Sequence, residues 1–368
     1  MINNTIVVIG GANLEYIITS DKKIIQGHKN SVNIQELYGG SGVNYTLRLL
    51  HAGESVYPIL FVGDDHAGHQ IQEVVASALI ADNPNIYHFI HENEFFISNV
   101  QTPKSTIIVE DIHRTILSHD KNTQNLFRSF VSKRIKKIEN AGAVIIGHIH
   151  NDKPSLSNNP EDLSTLFAIA YFKNKPTLIY ANFGASQIDH GFSFWQKYLP
   201  YIDILQLNIY EIKQFFQTAN KQPSLEEIIT IIQNLNISAI ITLDKFGALG
   251  ILKGHLNTIF MARPVDLGDS FVDSTGAGDA FCAGMVASLN GEKNFTSNQF
   301  KNAMQIARSW AVYACQSFGG ANQCPSAEAI ETFHQKIIHN NEVLRYQGDR
   351  IKDIAALIEI TMEAHNID

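Results

Sequence analysis

Val272-Asp273-Ser274-Thr275-Gly276-Ala277-Gly278-Asp279-Ala280-Phe281 is the stretch on which the fold turns. It follows a β-like segment and opens a helix with apolar positions at Phe281, Met285 and Leu289. That helix stops at Asn290-Gly291, a C-terminal signal. Gly276, Ala277 and Gly278 carry small side chains or none, so their backbone N–H groups can converge at the helix N-terminus, where the dipole also favours an anion. Asp279 falls in the first helical turn beside that point. A carboxylate next to an anion hole can accept the proton of an attacking hydroxyl while the hole holds phosphoryl charge. A glycine-rich turn with an N-capping Asp would account for a lone GxGD, but this ten-residue run is more specific than that.

Upstream, short apolar runs recur at Thr5 to Gly10, Tyr57 to Val62, Ala143 to Gly147, Thr177 to Tyr180, Ile202 to Leu207 and Ala239 to Leu243. Such runs read as buried parallel strands. Helical spacing lies between them, as at Val43, Leu47 and Leu50, and from Leu225 to Leu235 after the start signal Pro223-Ser224. Strand–helix alternation predicts a doubly wound, mostly parallel α/β sheet. Two segments break the rhythm. Tyr16 to Leu37 reads as a hairpin with a turn at Asp21-Lys22 between Ile17-Ile18 and Ile24-Ile25, and Ser105 to Leu117 as another. Either ribbon alone is marginal, so the two are expected to join in a small β-sheet lid. The chain after Asp279 reads as mostly helical, ending in an amphipathic segment from Glu342 to His365.

DSTGAGDAF resembles the C-terminal signature of the ribokinase or PfkB family of carbohydrate kinases. Gly39-Gly40-Ser41-Gly42-Val43-Asn44, with Gly53 closing the helix, is similar to that family's other signature. The resemblance runs from about Thr5 to Pro325. It implies a ribokinase-like fold and an ATP-dependent kinase acting on a hydroxyl of a sugar, polyol or nucleoside. Asp279 corresponds to the catalytic base and Gly276, Ala277 and Gly278 to the anion hole. Asn208-Ile209-Tyr210-Glu211 resembles the NxxE element that organises Mg²⁺ through water. Thr242 to Gly247 resembles a turn that contacts the nucleotide, and Gly319-Gly320-Ala321 the loop beside the adenine. By the same resemblance Asp273 binds a monovalent cation such as K⁺, and Asn13, Glu15, Gly39, Gly40 and Asn44 bind substrate. Glu15 stands where the family has Asp, its carboxylate one C–C bond further out, and Asp244 stands where the family has Gly.

Bulk properties agree. The 368 residues are 45% apolar and 17% charged, enough for one large α/β domain with an appendage. A net charge of −8 without a basic run gives no counterion-release advantage on nucleic acid, so no nucleic-acid partner is expected. Cys282, Cys315 and Cys324 form no CxxC pair and read as reduced thiols. The N-terminus has no leader pattern, and Ile6 to Ile9 falls far short of the roughly 20 residues that cross a bilayer. A cytoplasmic chain with no membrane partner is expected. The domain reading is an α/β body over residues 1–14, 39–96 and 119–340, a lid over 15–38 and 97–118, and a helical extension over 341–368. Free lid edges invite pairing, so a homodimer through the lid is expected.

Gly40-Ser41-Gly42 lacks the third glycine of a dinucleotide fingerprint, and no P-loop is present. His148-Ile149-His150 has a spacing used by metal sites and would suit a metal-dependent hydrolase, but no second cluster accompanies it. His66 and His69 read as a solvated helix start. A catalytically inactive, ligand-binding regulator on the same fold stays open. Phe192, Phe194 and Trp195 read as packing residues. Lys133, Arg134, Lys136 and Lys137 read as a solvated helix face, and Arg114 as a lid cation.

Overall fold

Ile6-Val7-Val8-Ile9-Gly10-Gly11 is buried at all six positions, as a strand must be when helices cover both sheet faces. In the computed structural model it is the strand at which the sheet order reverses. The structure describes residues 5–365 apart from 21–22, 80–89, 91–94, 111–112, 120–126, 139, 150–151, 153–162, 219–220 and 339–342. The first half contains β1 (Ile6–Gly11), β2 (Asn13–Thr19), β3 (Asn33–Gly39), α1 (Ser41–His51), β4 (Val56–Phe61), α2 (His66–Ser77), β5 (Lys104–Glu110), β6 (His113–His119), α3 (Phe127–Ile135), β7 (Ala143–Ile146), α4 (Ser164–Phe172) and β8 (Leu178–Asn182). Then follow α5 (Ala185–Ile188), α6 (Gly191–Trp195), β9 (Ile204–Asn208), α7 (Ile209–Phe216), α8 (Leu225–Leu235), β10 (Ser238–Thr242), β11 (Ala248–Ile251) and β12 (Thr258–Ala262). The chain closes with α9 (Ala277–Leu289), α10 (Ser297–Ala314), α11 (Ala327–Ile338), β13 (Val343–Gln347) and α12 (Arg350–His365).

The large sheet has the order β13-β12-β11-β10-β9-β8-β7-β1-β4. Strands β10 through β4 are parallel, and β11 to β13 add an antiparallel edge. After β1 the chain moves out to β4; after β7 it moves out the other way. The switch therefore lies between β1 and β7, and ligands in open α/β sheets bind beyond the carboxyl ends of strands at such a point. The six strands expected from apolar runs all form in this sheet.

The small sheet has the order β3-β2-β5-β6, with β2 and β5 parallel across the two ribbons. Ile17, Leu37 and Ile107 bury one another, with Val109 packed beside them. The first ribbon differs from expectation. The turn at Asp21-Lys22 lies outside the described residues. The partner of β2 is Asn33–Gly39 and not Ile24-Ile25, because only that pairing sets Glu15 opposite Leu37 and continues straight into α1. The lid strand also starts at Asn13, two residues before Glu15.

The C-terminal segment is not wholly helical. Val343–Gln347 pairs antiparallel with β12 and becomes the ninth strand. Gly348 (φ +60) then breaks the chain before α12, which packs on α8. Glu359 ties it down by a 2.7 Å ion pair to Lys213 and by accepting the Leu225 N–H at 3.0 Å. A free β12 edge is the reason a strand forms here: the edge supplies partners that propensity alone does not reveal. Arg134 departs too. It is buried, its guanidinium stacks on the Phe130 ring at 3.3 Å, and it donates to the Phe130 carbonyl. Lys133, Lys136 and Lys137 are exposed, and Ile135 and Ile138 point inward. No described helix is long and apolar enough to cross a membrane.

Candidate active site

Two helix N-termini meet beyond the switch point, each led by a glycine with positive φ. Gly40 (φ +88) precedes α1, and Gly276 (φ +73) precedes α9. Close approach enforces glycine there. A Cβ on Gly40 would lie 2.4 Å from Asn13 Oδ1, and one on Gly276 would lie 2.6 Å from Gly320 Cα. Gly10 and Gly42 touch backbone to backbone, which brings the end of β1 onto the start of α1.

Asp279, in the first turn of α9, accepts a hydrogen bond from Asn44 Nδ2 at 2.7 Å. Asn44 is therefore committed through its amide nitrogen to the carboxylate, and its Oδ1 is buried without a partner among the described residues. Ala277 N–H turns back to Ser274 O at 3.2 Å, and Ala280 N–H closes the first helical bond to Gly276 O at 2.8 Å. This leaves the N–H groups of Gly278 and Asp279 at the helix mouth. Gln206 on β9 holds the Gly278 peptide by donating to its carbonyl at 2.9 Å, and Tyr180 on β8 donates to Gln206 at 2.6 Å. Tyr45 accepts from Asn182 at 2.9 Å, and burial followed by the Asp279 charge pushes its phenol well up. None of Gln206, Tyr180, Tyr45 and Asn182 stands out in the sequence. Their only signal is a polar group inside an apolar run.

The floor of the lid supplies acceptors. Asn13 donates to Ser105 Oγ at 2.9 Å and to Glu15 Oε1 at 3.2 Å, and its Oδ1 is buried without a partner among the described residues. The Glu15 carboxylate lies over Gly39, where a Cβ would approach it to 2.4 Å. The longer side chain is accommodated by that missing Cβ. Burial raises the Glu15 pKa, the Asn13 hydrogen bond opposes this, and the charges of Asp279 and Asp273 raise it further.

Asp273 is buried and fastens two loops. Its Oδ1 accepts from Thr275 N at 3.1 Å and Thr275 Oγ1 at 2.9 Å, and its Oδ2 accepts from Gly319 N at 3.1 Å. Gly320 sits against Asn44, where a Cβ would come within 2.3 Å of Nδ2, and its carbonyl accepts from the buried Arg48.

Asn208, Glu211, Thr242 and Gly247 lie further along the same strand ends. Thr242 and Asn208 are register partners. Asn208 and Glu211 form a reciprocal cap on α7: Asn208 Oδ1 takes the Glu211 N–H at 2.8 Å, and Glu211 Oε2 takes the Asn208 N–H at 2.8 Å. Gly247 (φ +98) closes a tight turn against Ala262 O. Asp244 adopts φ +53, the left-handed conformation that favours glycine, and its side chain is exposed.

His148 packs its ring against Gly184, and His150 lies outside the described residues. Among the described residues no group of three His, Cys, Asp or Glu could hold a metal ion. The Arg114 side chain also lies outside the description. Asp65, beside an open concavity near Gln101, spends its carboxylate on Thr102 and Gly68 and is structural.

Fold and site together define an α/β protein with a carboxylate at a glycine-led helix mouth beneath a small β-sheet. The profile described as pfkB family carbohydrate kinase matches residues 3–327. The chain belongs to that family, and with it to the phosphotransferases. A sequence comparison with curated proteins found no match. Among solved structures, the ribokinase from Giardia lamblia is 16% identical with a TM-score of 0.70, covering 90% of this chain and 98% of its own. Arabidopsis thaliana ribokinase complexed with ribose and ATP is 18% identical with a TM-score of 0.62, covering 90% and 98%. The Burkholderia thailandensis nucleoside kinase in complex with inosine is 15% identical with a TM-score of 0.65, covering 92% and 99%. At these identities the structures speak for the fold.

Proposed function

We propose that this chain transfers the γ-phosphate of ATP to a hydroxyl of a sugar, polyol or nucleoside, with Asp279 as the general base. The carrying observation is Asp279 at the mouth of α9, oriented by Asn44 and beside the Gly278 and Asp279 N–H groups, which make no hydrogen bond there among the described residues. Asp279 accepts the hydroxyl proton as the oxygen attacks phosphorus in line. The helix mouth, whose Gly278 peptide is held by Gln206, takes up charge on the transferred group. Asn13 and Glu15 receive substrate hydroxyls from the lid side, and the lid excludes competing water. Thr242, Gly247 and Gly320 border the nucleotide. The solved relatives described with ribose and ATP, and with inosine, have this fold and support the same substrate classes here.

Mg²⁺ would neutralise phosphate charge when bound. The hard oxygen of Glu211 suits it: Oε2 caps α7, while Oε1 accepts no hydrogen bond among the described residues and is available to a metal-bound water. A monovalent cation at Asp273 fits less well. Both oxygens of Asp273 already accept hydrogen bonds, and the neighbouring Gly320 carbonyl is taken by Arg48.

A homodimer through the lid is supported by exposed Ile34 and Leu117, which share the lid face turned away from Glu15. Sedimentation giving a monomer mass would reject it. Three thiols outside any disulfide accord with a cytoplasmic setting.

The test is ADP release from MgATP with a panel of pentoses, hexoses, polyols and nucleosides. Turnover on one compound that is lost in Asp279→Asn supports the assignment. Turnover that survives the substitution means a different base. No turnover at all, with ATP still bound, points to the inactive regulator.

A further inference from the structure

We propose that Arg48 is a resident cation that holds the catalytic loops in register, so that phosphoryl transfer by this chain needs no added monovalent ion. This rests on the kinase assignment above.

Arg48 stands on α1 one turn beyond Asn44, in the otherwise apolar run Leu47, Leu49, Leu50. It is 2% exposed. No carboxylate forms an ion pair with it among the described residues, and its Nε has no partner there. An arginine stays charged in proteins, and a buried charge without a close counter-ion is strongly unfavourable. Burial lowers its pKa, while the fields of Cys324, Asp279 and Cys315 favour the cation. Such a residue is not a packing convenience, because leucine or methionine would fill the space without that cost.

What the guanidinium does is visible. Nη2 donates to Gly320 O. One residue upstream, Gly319 N–H donates to Asp273 Oδ2 at 3.1 Å. The Gly319–Gly320 segment is thus gripped by a carboxylate at its N–H end and a guanidinium at its carbonyl end. Gly320 in turn bears on Gly276, the residue that starts α9, and on Asn44, which orients Asp279. A positive charge drawing in a backbone carbonyl is the service a loosely bound monovalent ion renders. Here the charge is tethered to the same helix as Asn44. Arg48 touches none of the reacting atoms in this scheme; it is a positioning residue.

The experiment compares wild type, Arg48→Met and Arg48→Lys in sodium, potassium, caesium and tetramethylammonium chlorides at one ionic strength. Wild-type kcat is expected to agree across the salts within about twofold. Arg48→Met should lose about 10- to 100-fold in kcat with a smaller change in KM, through misplacement of Asn44 and Asp279. Part of that loss should return on adding potassium or low guanidinium, and Arg48→Lys should lie between. Potassium-specific activation of wild type, an unchanged kcat in Arg48→Met, or a loss that no cation rescues and that merely follows the melting temperature, overturns the proposal. Thermal unfolding of wild type in the same salts is read without any substrate. Absence of a potassium-specific shift supports the resident cation and its presence overturns it, even if the kinase panel finds no acceptor.

Discussion

Asn44 Nδ2 and Asp279 Oδ2 lie 2.7 Å apart across 235 residues of chain. The bond joins the first turn of α1 to the first turn of α9, so the two glycine-led motifs form one site and not two.

Asp279→Asn keeps the shape and removes the carboxylate proposed as the base. It is expected to lower kcat by about 10²–10⁴ without a matching loss of thermal stability, measured by ADP release beside calorimetry. Asn44→Asp is the more discriminating companion. A second carboxylate at that distance raises the pKa of Asp279, so the acid limb of the pH–rate profile should move to higher pH. A limb that stays in place would remove Asp279 as the titrating group.

Glu15 is held above its ordinary value of 4.5 by burial and by Asp279 and Asp273. Between that value and its higher folded value the native chain binds more protons than the unfolded one. Stability contributed by this group is thus complete below the unfolded value and falls as pH rises through the folded one. Glu15→Gln should therefore flatten the pH dependence of the melting temperature and raise it at neutral pH. It should also raise substrate KM by about 10-fold or more, through loss of a charged acceptor. Denaturation curves from acid to neutral pH, with KM for the acceptor, check both.

Gly320→Ala would place a methyl within 2.6 Å of the Asn44 amide atoms. Overpacking of this kind costs about 1–3 kcal/mol, and here the strain falls on the residue that orients Asp279. A kcat loss larger than the stability loss is expected. Full activity in a correctly folded variant would show that the loop can shift freely.

Asp244 holds φ +53, a conformation costing roughly 1 kcal/mol for a residue with a Cβ. Asp244→Gly should be neutral to stabilising by up to about 1 kcal/mol and should lower KM for ATP by removing a negative charge near the phosphates. Asp244→Val should destabilise. Chemical denaturation and ATP titration distinguish these outcomes.

Truncation after residue 338 would uncover the β12 edge and delete Glu359 from Lys213 and the Leu225 N–H. An exposed edge pairs with other chains, so the shortened protein should aggregate and melt earlier than the full chain. A monomeric, equally stable product in light scattering would make α12 and β13 dispensable.

Much of this architecture is written locally. Apolar β-branched runs mark β1, β4 and β7 to β10, and Ser224 and Asn290 mark helix ends, because burial and capping act within a few residues. The run from Asp273 to Asp279, proposed above as the phosphoryl-transfer site, is legible for the same reason: an open helix mouth of this kind needs small residues at consecutive positions. Arg134 is buried although its segment is rich in cations, because Phe130 offers its ring one turn away, which charge counting does not register. The strand at Val343–Gln347 carries no local strand signal, because its partner edge lies 85 residues upstream, at Thr258–Ala262.

Fold class and the glycine-led helix mouth with Asp279 in its first turn are legible in the chain, since each depends on residue types a few places apart. That Asn44 grips Asp279, that Gln206 holds the Gly278 peptide and that Arg48 reaches Gly320 across 272 residues follows from three-dimensional packing alone. Hydrogen bonds at such separations depend on how helices and strands pack, and packing leaves no periodic mark on the chain between them.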